Sequence, residues 1–118
     1  MQYLLLIYQN EKEPALNTEA LFKSYNEYTA AIIKSGNMKA GDALQPVTTA
    51  TTVRVRDGKT LTTDGPFAET KEQLGGYYLV EAKDLDEAIK LAERIPSSKF
   101  GSIEVRPVRG MPKDYPRP

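Results

Sequence analysis

The sequence predicts an α+β fold, a ferredoxin-like sandwich in which two helices cover one face of an antiparallel sheet. Three observations predict it. Apolar patterning along the 118 residues runs strand, helix, strand, hairpin, strand, helix, strand, which is the βα-β-hairpin-βαβ order of such a sandwich. Two of the strand segments, residues 3–8 and 74–82, are apolar without clear alternation, as strands covered on both faces are. The first and third core strands are central in this topology, and those two runs fall on them.

Each element has a local reason. Residues 3–8 (Tyr-Leu-Leu-Leu-Ile-Tyr) end at the polar pair Gln9-Asn10. Residues 9–17 are polar, contain Pro14 and read as a loop. Asn17 or Thr18 can cap a first helix, whose apolar face is expected to carry Leu21, Phe22, Tyr25, Tyr28, Thr29, Ile32 and Ile33. Gly36-Asn37 supplies its stop. Residues 38–45 read as a short strand. Residues 48–56 set Val53 and Val55 against Arg54 and Arg56, a strand with one wet face. Asp57-Gly58 is a tight-turn signal, and Lys59 to Thr63 is the returning strand. Asp64 to Gln73 reads as a polar loop with room for one helical turn. Gly75-Gly76 weakens the start of the 74–82 strand and lets a backbone or a ligand approach closely. Asp84 with Glu87 suggests a capping box. Leu85, Ala88, Ile89, Ala92 and Ile95 mark the buried face of a second helix ended by Pro96. Gly101 opens a last strand over Ser102–Val108. Residues 1–109 form one domain, and 110–118 are a Pro-rich tail.

Composition excludes several classes of chemistry. The chain has neither Cys nor His, which removes disulfides, thiol nucleophiles, Ser-His-Asp triads and His-ligated metals. Lys and Arg number 16, as do Asp and Glu, so no basic excess points to nucleic acid. No stretch is long enough to span a bilayer and no leader pattern is present, so a cytoplasmic location without membrane contact is expected. No dinucleotide fingerprint, haem ligand or calcium-loop spacing occurs, and neither cofactor nor metal is expected. Two helices can cover only one face of the sheet. The Leu, Ile and Tyr side chains of the other face need burial too, which predicts a homodimer packed sheet face to sheet face, the alternative being that residues 37–50 and the C-terminal tail fold over that face.

The most distinctive segment is Asp64-Gly65-Pro66-Phe67-Ala68-Glu69-Thr70-Lys71-Glu72. Together with Ala50-Thr51-Thr52-Val53-Arg54 before it, Gly75-Gly76-Tyr77-Tyr78 after it and Ile103-Glu104-Val105-Arg106-Pro107-Val108, it resembles the DGPF-domain branch of the YCII-related proteins over residues 1–109. The resemblance implies a dimeric α+β barrel, and a genetic association of some members with extracytoplasmic-function sigma factors. It implies no particular reaction. The YCII proteins proper pair a His on the first helix with an Asp near the end of the second. This chain has Tyr25 and Tyr28 on the one and Arg94-Ile95-Pro96 at the other, so that dyad does not carry over.

Any catalysis must therefore rest on carboxylates, Lys, Arg or Tyr. Two readings of the 64–72 segment remain open. In one, Asp64 caps a rigid corner and Phe67 inserts into the core to pin it. In the other, Asp64 is a pocket carboxylate acting as general base with Lys71 holding an anionic group, while Glu69, Glu72, Tyr25, Tyr77 and Arg54 contact a small polar ligand. Asp42, after Gly41, carries a weaker site signal. Two functions follow. One is a dimeric small-molecule-binding protein or cofactor-free acid–base enzyme. The other is a non-catalytic regulatory module with a sigma-factor-linked partner.

Overall fold

The computed structural model describes residues 1–118. Four strands form one antiparallel sheet in the order β2-β5-β1-β6, with β1 at Gln2–Gln9, β2 at Met38–Ala43, β5 at Gln73–Glu81 and β6 at Ser102–Pro107. Helices α1 (Glu19–Lys34) and α2 (Leu85–Glu93) pack on one face. This is the ferredoxin-like α+β sandwich expected, with β1 and β5 central. Alternation along the central strands shows which side chains meet the helices. Tyr3, Leu5 and Ile7 of β1 and Tyr78 and Val80 of β5 are buried beneath the helices, while Leu4, Leu6, Tyr77 and Leu79 are half-covered on the other face. The doubly apolar runs therefore supply a core on one side and an unfinished apolar surface on the other.

The helices start where their caps allow. Thr18 Oγ1 accepts from the Leu21 amide at 3.2 Å, so Thr18, not Asn17, is the cap of α1. Asp84 caps α2 by accepting from Glu87 N at 2.9 Å, and Glu87 Oε1 reaches back to the Lys83 amide. Two expected faces are narrower than the patterning implies. Phe22 and Ile33 of α1, and Leu85 and Ile89 of α2, are exposed, and Leu91 is buried instead. A helix lying flat on a sheet buries a stripe, and residues at the edge of a broad apolar sector stay outside it.

Strands β3 (Thr51–Arg56) and β4 (Lys59–Asp64) join no other strand and make a separate two-stranded ribbon. The turn is as expected: Asp57 and Gly58 both take positive φ, at 51° and 74°, which matches the twist of a tight hairpin. Boundaries shift nearby. Residues Val47–Thr49 form a single 3-10 turn, so the strand begins at Thr51; Pro14–Asn17 form another inside the expected loop; and the 64–73 loop holds no helical turn. With the ribbon standing clear of the main sheet, the molecule is flat, 48 × 45 × 22 Å. Its radius of gyration is 16.4 Å, against about 13–14 Å for a compact chain of this length.

Candidate functional site

A cavity of about 510 Å³ opens between α1, the ends of β1 and β2, and the start of β5. Its walls are mainly apolar, with Ile7, Leu21, Phe22, Met38 and Leu44 among them. That volume suits a small ring compound. Its shape depends on two glycines. A Cβ at Gly76 would stand 2.9 Å from the Asp42 carbonyl oxygen, so Gly76 is what lets β2 close on β5 there. A Cβ at Gly75 would stand 2.5 Å from Gln9 Nε2, so the Gln9 carboxamide occupies the space that a side chain would take. The close approach expected at this pair is made by a backbone at one glycine and a side chain at the other.

Three polar groups face this region from the helix side, and a carboxylate joins them from the loop after β1. Gln9 Oε1 is buried and has no hydrogen-bond partner. The Tyr25 hydroxyl lies 2.6 Å from Ser97 Oγ, and the Tyr78 hydroxyl lies 2.6 Å from Thr29 Oγ1. On the opposite, open face of the sheet, Asp42 Oδ2 accepts from the Tyr77 hydroxyl at 2.6 Å. Glu11 also lines the cavity, one carboxylate oxygen accepting from the Val47 amide at 2.9 Å. Burial pushes the phenols of Tyr25 and Tyr78 above the ordinary tyrosine range, and that of Tyr28 still further. Near neutral pH these three are donors, not bases. A carboxylate for proton transfer in the cavity must come from Glu11. No three carboxylates converge where a metal ion could sit.

The raised phenols have a consequence for stability. A tyrosine whose folded pKa exceeds the unfolded value of 10.0 favours the folded state fully below that pH, and the contribution is lost as pH rises. We expect Tm to be flat through neutral pH and to fall above about pH 10. In Tyr28→Phe, which loses the 2.7 Å bond to the Leu91 carbonyl, we expect a cost of about 1 kcal/mol at pH 7 and a shallower alkaline fall. Thermal melts across pH check both.

The residues singled out from the sequence separate into two places. Tyr25 lines the cavity; Tyr77 borders it along β5 but sends its side chain to the open face, where its hydroxyl meets Asp42. Arg54 and Asp64 are on the projecting ribbon, and Glu69 and Lys71 on the loop after it; all four are exposed, and none lines the cavity. Glu72 is half-buried, where its Oε1 accepts from Ser102 Oγ at 2.7 Å. Asp64 and Lys71 form no ion pair. The Asp64 carboxylate caps nothing. Gly65 N donating to the Ala50 carbonyl, at 2.7 Å, and Thr52 Oγ1 donating to the Gly65 carbonyl hold that corner instead. Phe67 does not insert into the core; it is 80% exposed. Sequence reading gave too little weight to Gln9, Thr29, Ser97 and Asp42. Asp42 carried a weak signal and Thr29 was placed on the α1 face; for Gln9 the signal was Gly75-Gly76, because a Gly pair in a buried strand announces a close neighbour without naming it, and nothing signalled Ser97.

A model of the YCII-related domain matches residues 1–112. An uncharacterised protein of Rhizobium meliloti (strain 1021) is 35% identical over 114 residues, covering 92% of each chain. Among solved structures, the 5-chloro-2-hydroxyhydroquinone dehydrochlorinase of Burkholderia phenoliruptrix AC1100, in complex with 2,5-dihydroxybenzoquinone, is similar with a TM-score of 0.50. The match covers 92% of this chain and 94% of that one at 17% identity, a likeness of fold. No helix here is long and apolar enough to cross a membrane.

Proposed function

The chain belongs to the YCII-related family, and from that premise we propose that it binds a small hydroxylated ring compound in the cavity beneath α1, working as a homodimer. The observation that carries this reading is Gln9 Oε1. A buried acceptor without a partner costs about 1–3 kcal/mol, and in a cavity it marks where a ligand hydroxyl or N–H would sit. The apolar walls take the ring. The Tyr25 and Tyr78 hydroxyls can be shared with a ligand oxygen, since the side chains they pair with, Ser97 and Thr29, are themselves hydroxyls. The dehydrochlorinase of the same fold is described with a dihydroxylated quinone bound, so this architecture admits such a ligand. If the bound compound reacts, the chemistry these residues support is proton transfer without a cofactor: Glu11 accepts the proton while phenols hold a developing negative oxygen. The half-covered face built from Leu4, Leu6, Tyr77 and Leu79 supports the homodimer.

Hydroquinone and 2,5-dihydroxybenzoquinone are the probes, read by thermal shift and by native mass spectrometry. We expect both to raise Tm of the wild type, and Gln9→Met and Tyr25→Phe each to weaken binding about tenfold, the equivalent of one hydrogen bond. Asp64→Asn serves as the comparison. Loss of binding in Asp64→Asn with retention in Gln9→Met would move the site to the ribbon base, where Asp64, Lys71, Glu69, Glu72 and Arg54 would carry it. No shift with either probe, a bare protein mass and a captured sigma-factor-linked protein would favour the regulatory reading.

A further inference from the structure

We propose that the β3–β4 ribbon is an arm that clasps a second copy of this chain, laying its Val53/Val55 face on the partner. The inference rests on the homodimer above but concerns a surface that the open sheet face does not include.

The ribbon has nothing of its own chain to rest on. Every residue of β4 is exposed, and so is every residue of β3 except Thr52. Val53 and Val55 are 60% and 59% exposed. A two-stranded hairpin alone is at best marginally stable in water, and one held straight out from a domain needs a surface to pack on. The pairing register separates its faces. Val53 lies opposite Thr62 and Val55 opposite Thr60, a face whose single charge is Asp64, opposite Thr51 at the base. Arg54 lies opposite Leu61 and Arg56 opposite Lys59, a face where two cations confront each other across the strands. A face bearing such a like-charge pair belongs in water, which leaves the valine face to dock. Phe67, just past the ribbon base, is the most exposed large apolar side chain of the protein and adds to the same unmet demand.

Area identifies a second copy as the occupant. The open sheet face has four strands of six to nine residues, a footprint of about 400–500 Å² at the usual strand spacing and rise. A stable interface takes about 800 Å² from each partner. Each arm face adds about 200 Å² on the same arithmetic, and in a two-fold dimer each copy both gives its own arm and receives the other's. Arm and sheet face together reach the size that the sheet face alone lacks. Nucleic acid fits less well: Asp57 at the turn and Asp64 at the base offset two of the ribbon's three cations, Arg54, Arg56 and Lys59.

The chain contains no Trp, so Val55→Trp places a single indole on the docking face. Fluorescence of this variant and sedimentation of the wild type are followed across a dilution series. We expect its emission to shift blue as dimer forms, and Val53→Asp/Val55→Asp to weaken the wild-type dimer at least 100-fold. The double variant should keep its far-UV spectrum, since neither valine touches the core of its own chain. A dimer equally tight in the double variant, with an indole that stays solvated, would overturn the arm while leaving the sheet-face dimer standing. A wild type monomeric at every concentration would overturn both. A blue shift on adding duplex DNA at low salt, with none on concentration, would assign the arm to nucleic acid and overturn the proposal.

Discussion

Leu5→Ala is expected to lower stability by about 3–4 kcal/mol, because it empties a fully enclosed site that its neighbours cannot collapse to fill. Leu5 has no exposed area and sits mid-strand between β5 and β6, opposite Tyr78 on one side and Val105 on the other. For a domain of this size that is a fall in Tm of roughly 10–20 °C. Leu4→Ala is the informative comparison. Leu4 differs only in pointing to the half-covered face, and its replacement should cost less than half as much in dilute protein. At concentrations where the proposed homodimer would form, the two costs should converge, because a second sheet would complete the burial of Leu4. Urea unfolding of both variants at two protein concentrations checks this. Equal costs in the monomer would mean that the open face is covered by the chain's own residues.

Gly101→Ala should be the most damaging substitution of a single hydrogen by a methyl group, at about 2–3 kcal/mol. The added Cβ would stand 2.3 Å from the Tyr8 carbonyl oxygen and 3.3 Å from that of Ser97, both backbone atoms that cannot swing away. Relief requires β6 to part from β1 or the 3-10 turn at Pro96–Lys99 to move. That turn holds Ser97, whose hydroxyl is bonded to Tyr25. We therefore expect Gly101→Ala to weaken binding of hydroquinone in step with its loss of stability, whereas Gly110→Ala, with nothing within 4 Å of its added carbon, should change neither. A stable Gly101→Ala with unaltered binding would show that the 96–101 segment is free to adjust.

Local sequence was a reliable guide wherever one residue decides a local question. Thr18 and Asp84 cap because a short oxygen-bearing side chain reaches the third amide beyond it, and Asp57-Gly58 turns the hairpin because both residues accept positive φ. The central placement of β1 and β5 was legible for the same kind of reason: a strand covered on both faces carries apolar residues at consecutive positions, and topology then leaves those strands only the middle of the sheet. The site was legible in part. Tyr25 lines the cavity and Tyr77 borders it with its side chain turned to the open face, but Gln9 reads as the polar end of a strand, and Ser97 as a turn residue after Pro96.

What the sequence by itself determined is the element order, the caps, the turn, the two central strands and the chemistry ruled out by having no Cys and no His. What only the tertiary structure decided is which distant groups meet. Tyr25 and Ser97 are 72 positions apart and Thr29 and Tyr78 are 49 apart, and such pairs arise from how α1 lies across the sheet. The same is true of the ribbon. Its pattern of alternating Val and Arg describes a strand with one apolar face, and nothing local distinguishes a strand inside the main sheet from one that stands clear of it. Hydrogen-bond partners and covering surfaces are non-local, so the packing alone placed Asp64, Arg54 and Phe67 away from the cavity and left an apolar ribbon face free to seek a partner.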